Sequence, residues 1–268
     1  MPDSTVPMVE PGETVTVVNQ KGGQGKTTTA VSLAAELAGR GKRVRIIDAD
    51  AQEGSTTRWL QPQWGETGED KRYSLLHVLT GQVAIADATW PTQVPGLDIV
   101  PAFASLKRFE SETVPGRDVA LQSAIERGPA YDATIIDCAP DLGQTTLTAL
   151  VAASAVVIPV KVGGLDLWGV AELNKTLGLV RDRLRSDQRT VAVVVTMLLR
   201  SGLTDDVIEQ LKIDYPHALH STVRHTVRAG EAPLAHVPLG EYAPDATATA
   251  DYSTLVDALF APMLSGGN

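Results

Sequence analysis

Cysteine is nearly missing from this chain: Cys138 is the only one in 268 residues. One thiol excludes an internal disulfide framework, a four-cysteine zinc site and an iron–sulfur cluster held within the chain. Histidine is sparse, five residues scattered along the length. The N-terminus, Met1-Pro2-Asp3-Ser4-Thr5, has neither the basic start nor the apolar run of a signal peptide. The longest uncharged stretch, Leu142 to Val160, is 19 residues, but Gly143, Gln144, Thr145, Thr146, Thr148, Ser154 and Pro159 make it too polar for lipid. It predicts a buried helix followed by a buried strand. From Ala258 to Asn268 no Lys or Arg stands beside the apolar residues, so a basic membrane-surface helix is excluded there. A cytoplasmic protein with no membrane partner is expected. Positive charge is also in short supply, 23 Lys plus Arg against 32 Asp plus Glu, a net −9 that at first sight argues against nucleic acid.

The composition is otherwise that of a globular protein, 43% hydrophobic and 21% charged. Short β-branched runs alternate with longer helical stretches. The strand candidates are Thr14–Val18, Arg43–Asp48, Leu97–Pro101, Asp132–Asp137, Ala155–Val160 and Thr190–Met197. Helices are predicted near Thr27–Ala38, Asp118–Arg127, Thr145–Ala153, Leu165–Leu184, Asp205–Leu211 and Ala250–Leu264. Strand runs that are apolar almost throughout indicate burial on both faces. The pattern predicts an α/β fold, a doubly wound, mainly parallel twisted sheet with helices on both faces. Residues 1–12 are expected to be a flexible arm, and 13–268 a single domain, with a solvated loop over 61–72.

The chemistry concentrates where the first strand runs through a glycine-rich turn into a helix, Asn19-Gln20-Lys21-Gly22-Gly23-Gln24-Gly25-Lys26-Thr27-Thr28-Thr29. Glycines let backbone N–H groups converge on phosphate, and the helix N-terminus adds its dipole. Lys26 is placed to reach the β- and γ-phosphates and the Thr27 hydroxyl to ligand Mg²⁺. Gly22, Gly23, Gln24, Gly25, Lys26, Thr27 and Thr28 are therefore the candidate nucleotide-binding residues.

The usual phosphate loop, G-x-x-x-x-G-K-[ST], would open with glycine at position 20, which is Gln20, and a second lysine, Lys21, follows. This form resembles the deviant Walker A motif of the ParA/MinD/nitrogenase-iron-protein class of P-loop ATPases. Arg43 to Gln52 is similar to the strand of that class ending in D-x-D-P-Q, with Ala51 at the usual proline. Tyr131 to Gly143 resembles its Walker B strand, with Ala139 in place of a proline. Val223 to Pro233 is similar to the ParA segment I-P-R-N-V-R-x-x-E-A-P. One cysteine cannot hold the shared cluster of the nitrogenase-like branch, and the basic C-terminal helix of MinD relatives is missing. The ParA branch remains, and the likeness runs from about Val15 to the C-terminus.

The resemblance implies an ATPase using ATP and Mg²⁺, with weak basal activity. It assigns catalytic roles to Lys21, Lys26 and Asp50: Lys21 would cross to a partner subunit's ATP, and Asp50 would position the attacking water. Thr27, Asp48 and Asp137 would form or support the Mg²⁺ shell. It further implies an ATP-dependent homodimer that binds double-stranded DNA without sequence preference, as a plasmid or chromosome partition protein on the nucleoid. Release would follow hydrolysis stimulated by a ParB-type centromere-binding partner.

Such binding needs little beyond Lys and Arg on phosphates. Residues 175–228 hold nine basic against six acidic residues, while the rest of the chain holds 14 against 26. Arg181, Arg183 and Arg185 read as a solvated helix face. Arg200, Arg224 and Arg228 fall after strands or in loops and are the candidate DNA contacts. Two alternatives stay open: an ATPase of the same chemistry that positions a protein cargo on the nucleoid, and a metabolic P-loop ligase or kinase. Lys21 also has a plain reading as a solvated lysine.

Overall fold

The six apolar runs become the body of one eight-stranded sheet. Its strands are β1 (Thr14–Val17), β2 (Val44–Ala49), β3 (Trp90–Pro91), β4 (Leu97–Val100), β5 (Ala133–Cys138), β6 (Ala155–Lys161), β7 (Arg189–Leu198) and β8 (Leu219–Arg224). They lie in the order β3-β4-β2-β5-β1-β6-β7-β8, parallel throughout except for the β3–β4 pair. The computed structural model describes residues 7–51, 56–112, 115–162, 166–184, 187–199 and 202–265.

The helices are α1 (Lys26–Gly39), α2 (Thr56–Leu60), α3 (Leu75–Leu79), α4 (Ala120–Arg127), α5 (Gln144–Ala152) and α6 (Asp166–Leu184). They continue with α7 (Gly202–Asp214), α8 (Arg228–Ala235), α9 (Leu239–Tyr242), α10 (Thr247–Leu259) and α11 (Ala261–Ser265).

Alternation along each strand divides the side chains between two cores. Val15, Val17, Ile46, Ile135, Val157 and Val194 pack on one face with Leu33 and Leu37 of α1 and Leu255 and Leu259 of α10. Ile47, Ile136, Val156, Ile158, Val193 and Val195 pack on the other with Leu150 of α5, Leu177 of α6 and Leu211 of α7. Both faces are covered, so the period-two signal vanishes into continuous apolar runs. Leu142 to Val160 resolves into α5 and β6, as its polar residues predict.

Three expectations change. Residues 1–6 of the expected arm lie outside the described residues, but 7–12 are tied down. Val9 is buried and donates its N–H to Leu259 O (2.8 Å), Gly12 N–H reaches Asp132 O (2.7 Å), and Arg189 Nη2 holds Met8 O (2.8 Å). The single helix expected over Ala250–Leu264 is two, because the chain breaks at Phe260 and Pro262 sits in the first turn of α11. Proline there forgoes only an N–H that a new helix leaves unpaired anyway. Finally, β8 was not expected: among Leu219–Arg224 only Val223 is buried, so this edge strand carries no apolar run.

Candidate functional site

The strand order reverses at β1, which pairs with β5 on one side and β6 on the other. The loop from Asn19 to Gly25 leaves the carboxyl end of β1 at that crevice, where open α/β sheets bind ligands. Side chains from the sheet clamp it. Asn19 Nδ2 donates to Pro159 O (2.7 Å), and Asn19 Oδ1 accepts the Lys21 N–H (3.1 Å). Gln24 Oε1 accepts the Lys161 N–H (2.8 Å), and Thr196 Oγ1 donates to Gln24 O (2.9 Å).

Gly23 and Gly25 take φ of +71° and +81°, and a Cβ on Gly25 would lie 3.3 Å from Thr196 Cγ2. Gly25→Ala is therefore expected to cost about 1–3 kcal/mol of stability from backbone strain, with a larger loss of nucleotide affinity as the loop shifts. Thermal melting with and without ATP checks both.

The helix after Gly25 has no side-chain cap, so its first-turn N–H groups are disposed to take an anion. Lys26 is 7% exposed, and its Nζ donates to Lys21 O at 3.0 Å. Burial pulls its pKa down, opposed by Asp137, Cys138, Asp50 and Asp141. A buried cation held on a carbonyl is ready to exchange that oxygen for a phosphate.

Asp48 and Asp137 stand side by side at the ends of β2 and β5, both fully buried. Asp48 is occupied by its own loop: Oδ1 accepts the Asp50 N–H (3.0 Å), and Oδ2 accepts the Thr57 N–H (2.8 Å) and Oγ1–H (2.5 Å). Asp137 Oδ2 accepts the Thr56 hydroxyl at 2.8 Å, Thr27 also bonds this carboxylate, and Oδ1 is buried with no partner. Burial, then Asp48, pushes the Asp137 pKa up to about 7. An orphaned carboxylate oxygen beside the Thr27 hydroxyl fits a hydrated Mg²⁺ brought in with phosphates. Among the described residues no group of three or more His, Cys, Asp or Glu forms a metal cage.

A cavity of about 320 Å³ opens next to Gly25 and Thr28, walled by Thr196, Met197, Val223 and Tyr252. Met197 adopts φ +51°, and the β7–β8 register slips between Val195 and Leu198. Bulges of this kind re-aim side chains beside sites. The cavity has the place and size for a nucleoside.

The structure thus brings together Lys21, Gly22, Gly23, Gln24, Gly25, Lys26, Thr27, Thr28, Asp48, Asp50 and Asp137. Arg200 lies outside the described residues. Arg224 and Arg228 are half-exposed and already paired: Arg224 with Asp251 of α10 (2.6 Å), Arg228 with Glu231 (2.8 Å). Arg224 also lines the cavity beside Gly25. Sequence reasoning missed Thr56, Thr57, Thr196 and Met197. Thr56-Thr57 opening a short helix was a weak available signal, and Thr196-Met197 merely looked like more strand.

A family model described as AAA domain matches residues 12–190. The sporulation initiation inhibitor protein Soj of Bacillus subtilis is 39% identical over 87% of this chain and 92% of its own length. The chromosome partitioning protein ParA of Caulobacter vibrioides is 36% identical over 83% and 84%. The chain belongs to the ParA/Soj family. Its fold is that of ParA/Soj P-loop ATPases, and ATPase activity comes with the family. Cobyrinic acid a,c-diamide synthase of Mycobacterium smegmatis, solved with an ATP analogue and magnesium, superposes with a TM-score of 0.75 at 28% identity, covering 97% of this chain and 98% of that one. Among the described residues no helix is long and apolar enough to cross a membrane.

Proposed function

We propose that this chain is a DNA-partitioning ATPase, hydrolysing ATP·Mg²⁺ slowly alone and faster with DNA and a ParB-type centromere-binding partner. The observation that carries this is Lys21, a second lysine inside a loop whose other parts fit a nucleotide, in a chain 39% identical to Soj. Bound ATP·Mg²⁺ supplies the γ-phosphoryl group and the charge neutralisation that its transfer to water requires. The loop N–H groups from Gly22 to Thr28 cradle phosphate oxygens, and Lys26 leaves Lys21 O for the β/γ region. Thr27 and the unpartnered Asp137 oxygen hold the metal. Asp48 keeps the Thr56–Thr57 segment in place, and Asp50 orients water. The ATP-bound form is a homodimer, with Lys21 reaching across, and it acts in the cytoplasm on the nucleoid.

DNA contact is proposed for Arg200, Arg224 and Arg228. Phosphates have to compete with Asp251 and Glu231 for the last two, so each contact is weak and dimerisation, which doubles the set, is needed. Unrelated duplexes are expected to bind equally in the presence of ATP, with log K falling by about 0.9 per phosphate contact for each unit of log salt. Arg224→Ala with Arg228→Ala should flatten that slope. An unchanged slope assigns DNA contact to other residues.

The likeness to the cobyrinic acid synthase favours a second reading, a small-molecule ligase. The deciding measurement is ATP turnover with DNA plus a ParB-type peptide: stimulation supports partitioning, while turnover indifferent to DNA and raised by a metabolite supports the ligase.

A further inference from the structure

At the opposite end of the sheet from the phosphate loop, β2 carries an arginine between apolar neighbours. Arg45 stands in register with Asp98 of β4 and Thr134 of β5 and is 1% exposed. Its Nη2 donates to Thr134 Oγ1 at 3.1 Å, and its guanidinium carbon lies 4.8 Å from the centroid of the Tyr131 ring. The Tyr131 hydroxyl donates to Asp98 Oδ2 at 2.7 Å. Arg45 Nε and Nη1 are buried with no hydrogen-bond partner. Burial pulls the Arg45 pKa down to about 10 and pushes that of Tyr131 up to about 12, so at neutral pH they are a cation and an uncharged phenol.

Asp98, across the ladder, attracts the Arg45 charge, but two guanidinium nitrogens stay buried without an acceptor, a cost that an apolar residue of similar volume would not carry. Arginine here therefore makes sense if something uses it. Arg45 lines a cleft of about 550 Å³, within the range of small-molecule sites. Tyr131 and Thr134 form the wall around the guanidinium, while Glu126 and Asp187, both exposed, stand at the rim. Glu13, also on the cleft, is already held by Arg189 at 2.7 and 2.8 Å.

Beyond Arg45 and the Asp98 that faces it on β4, the charged side chains lining the cleft are the carboxylates Glu13, Glu126 and Asp187. We propose that this cleft binds a small zwitterion, its carboxylate on the Arg45 guanidinium and its cationic end toward Glu126 and Asp187. A carboxylate satisfies guanidinium donors through charge-assisted bonds, and Tyr131 stacked on the guanidinium keeps the group oriented. A phosphate or a simple carboxylate would meet the same guanidinium but have no cationic end to set against the rim carboxylates Glu126 and Asp187, which repel it. The pocket is separate from the nucleotide site: Arg45 and Thr134 stand three residues before Asp48 and Asp137 on the same two strands.

The test is calorimetric titration of the full chain with L-lysine, L-arginine, 4-aminobutyrate, acetate and inorganic phosphate. At least one of the three zwitterions is expected to saturate at one per chain, at least about tenfold more tightly than acetate or phosphate, the worth of one charge-assisted hydrogen bond. Arg45→Leu should abolish that binding while melting cooperatively at or above the wild-type temperature. The surface double variant Glu126→Gln with Asp187→Asn, which disturbs no core, should reduce the zwitterion to the affinity of acetate. It carries the test even where Arg45→Leu folds poorly. Absence of saturable binding by all three zwitterions would overturn the proposal, as would acetate or phosphate binding equally well, or zwitterion affinity unchanged in the surface variant.

Discussion

Asp50→Ala is expected to leave ATP binding intact and to slow hydrolysis by about 10²- to 10⁴-fold, the range over which a positioned acid–base group contributes. Three carboxylates, Asp48, Asp50 and Asp137, stand at or just past the ends of β2 and β5. Asp48 spends both oxygens on the loop through the Asp50 N–H and Thr57, and Asp137 bonds Thr56 and Thr27. Asp50 lines a small cavity of about 70 Å³ shared with Ala51, Ala139 and Asp141. A water occupies about 30 Å³ in the liquid, so there is room for the nucleophile beside this carboxylate. The backbone bond from Asp50 N–H to Asp48 survives truncation to alanine, and the loop should keep its shape. An ATP-loaded form that accumulates and stays on DNA is then expected, read as lost phosphate release with retained co-sedimentation. Wild-type turnover in the variant would move the water-positioning role to another group, Asp141 and Glu110 being the other carboxylates on the same cavity. Asp48→Asn makes a useful contrast: it should lower thermal stability, because it weakens the acceptor of three donors in the Asp50–Thr57 segment.

The site was legible in the sequence wherever chemistry needs particular residues at fixed spacing. The run from Lys21 to Thr28 occupies consecutive backbone positions at one strand–helix junction, and the resemblance of the two aspartate-bearing strands to those of the ATPase class placed Asp48, Asp50 and Asp137 beside it. The far wall of the site was not legible, because Thr196 and Met197 reach the loop only through the β7–β6–β1 strand order and a register slip, which are long-range facts. The same holds for the fold. Strands with both faces buried announced themselves as apolar runs, whereas β8, with one buried residue, did not. Charge was the least readable quantity. The stretch 175–228 is basic by count, yet Arg189, Lys212, Arg224 and Arg228 each meet a carboxylate in the folded chain. Counting charges by segment cannot see pairs that the fold assembles, and Arg45 shows the converse, a cation hidden inside a strand.

Lys21→Ala should abolish ATP-dependent dimerisation while leaving nucleotide binding nearly unchanged. The two lysines of the loop are separable by geometry. Lys26 is buried, and its Nζ sits on Lys21 O; that acceptor is a backbone oxygen, which alanine at position 21 retains. The Lys21 N–H bond to Asn19 Oδ1 is likewise independent of the side chain. Truncation therefore keeps both of these backbone bonds and removes a cation that is half-buried at the rim of the loop. Two subunits that meet across their phosphate loops bring two triphosphates together, a repulsion that grows as water is excluded between them. A lysine offered from each side to the other's phosphates offsets it twice, so one substitution acts at two places in a symmetric dimer. Light scattering with a non-hydrolysable ATP analogue and Mg²⁺ should give a dimer for the wild type and a monomer for Lys21→Ala, and nucleotide titration should give similar affinities for both. Lys26→Ala should differ by losing the nucleotide itself. A Lys21→Ala chain that dimerises as the wild type does would make Lys21 a solvated lysine after all, and the cross-subunit contact would have to come from another residue.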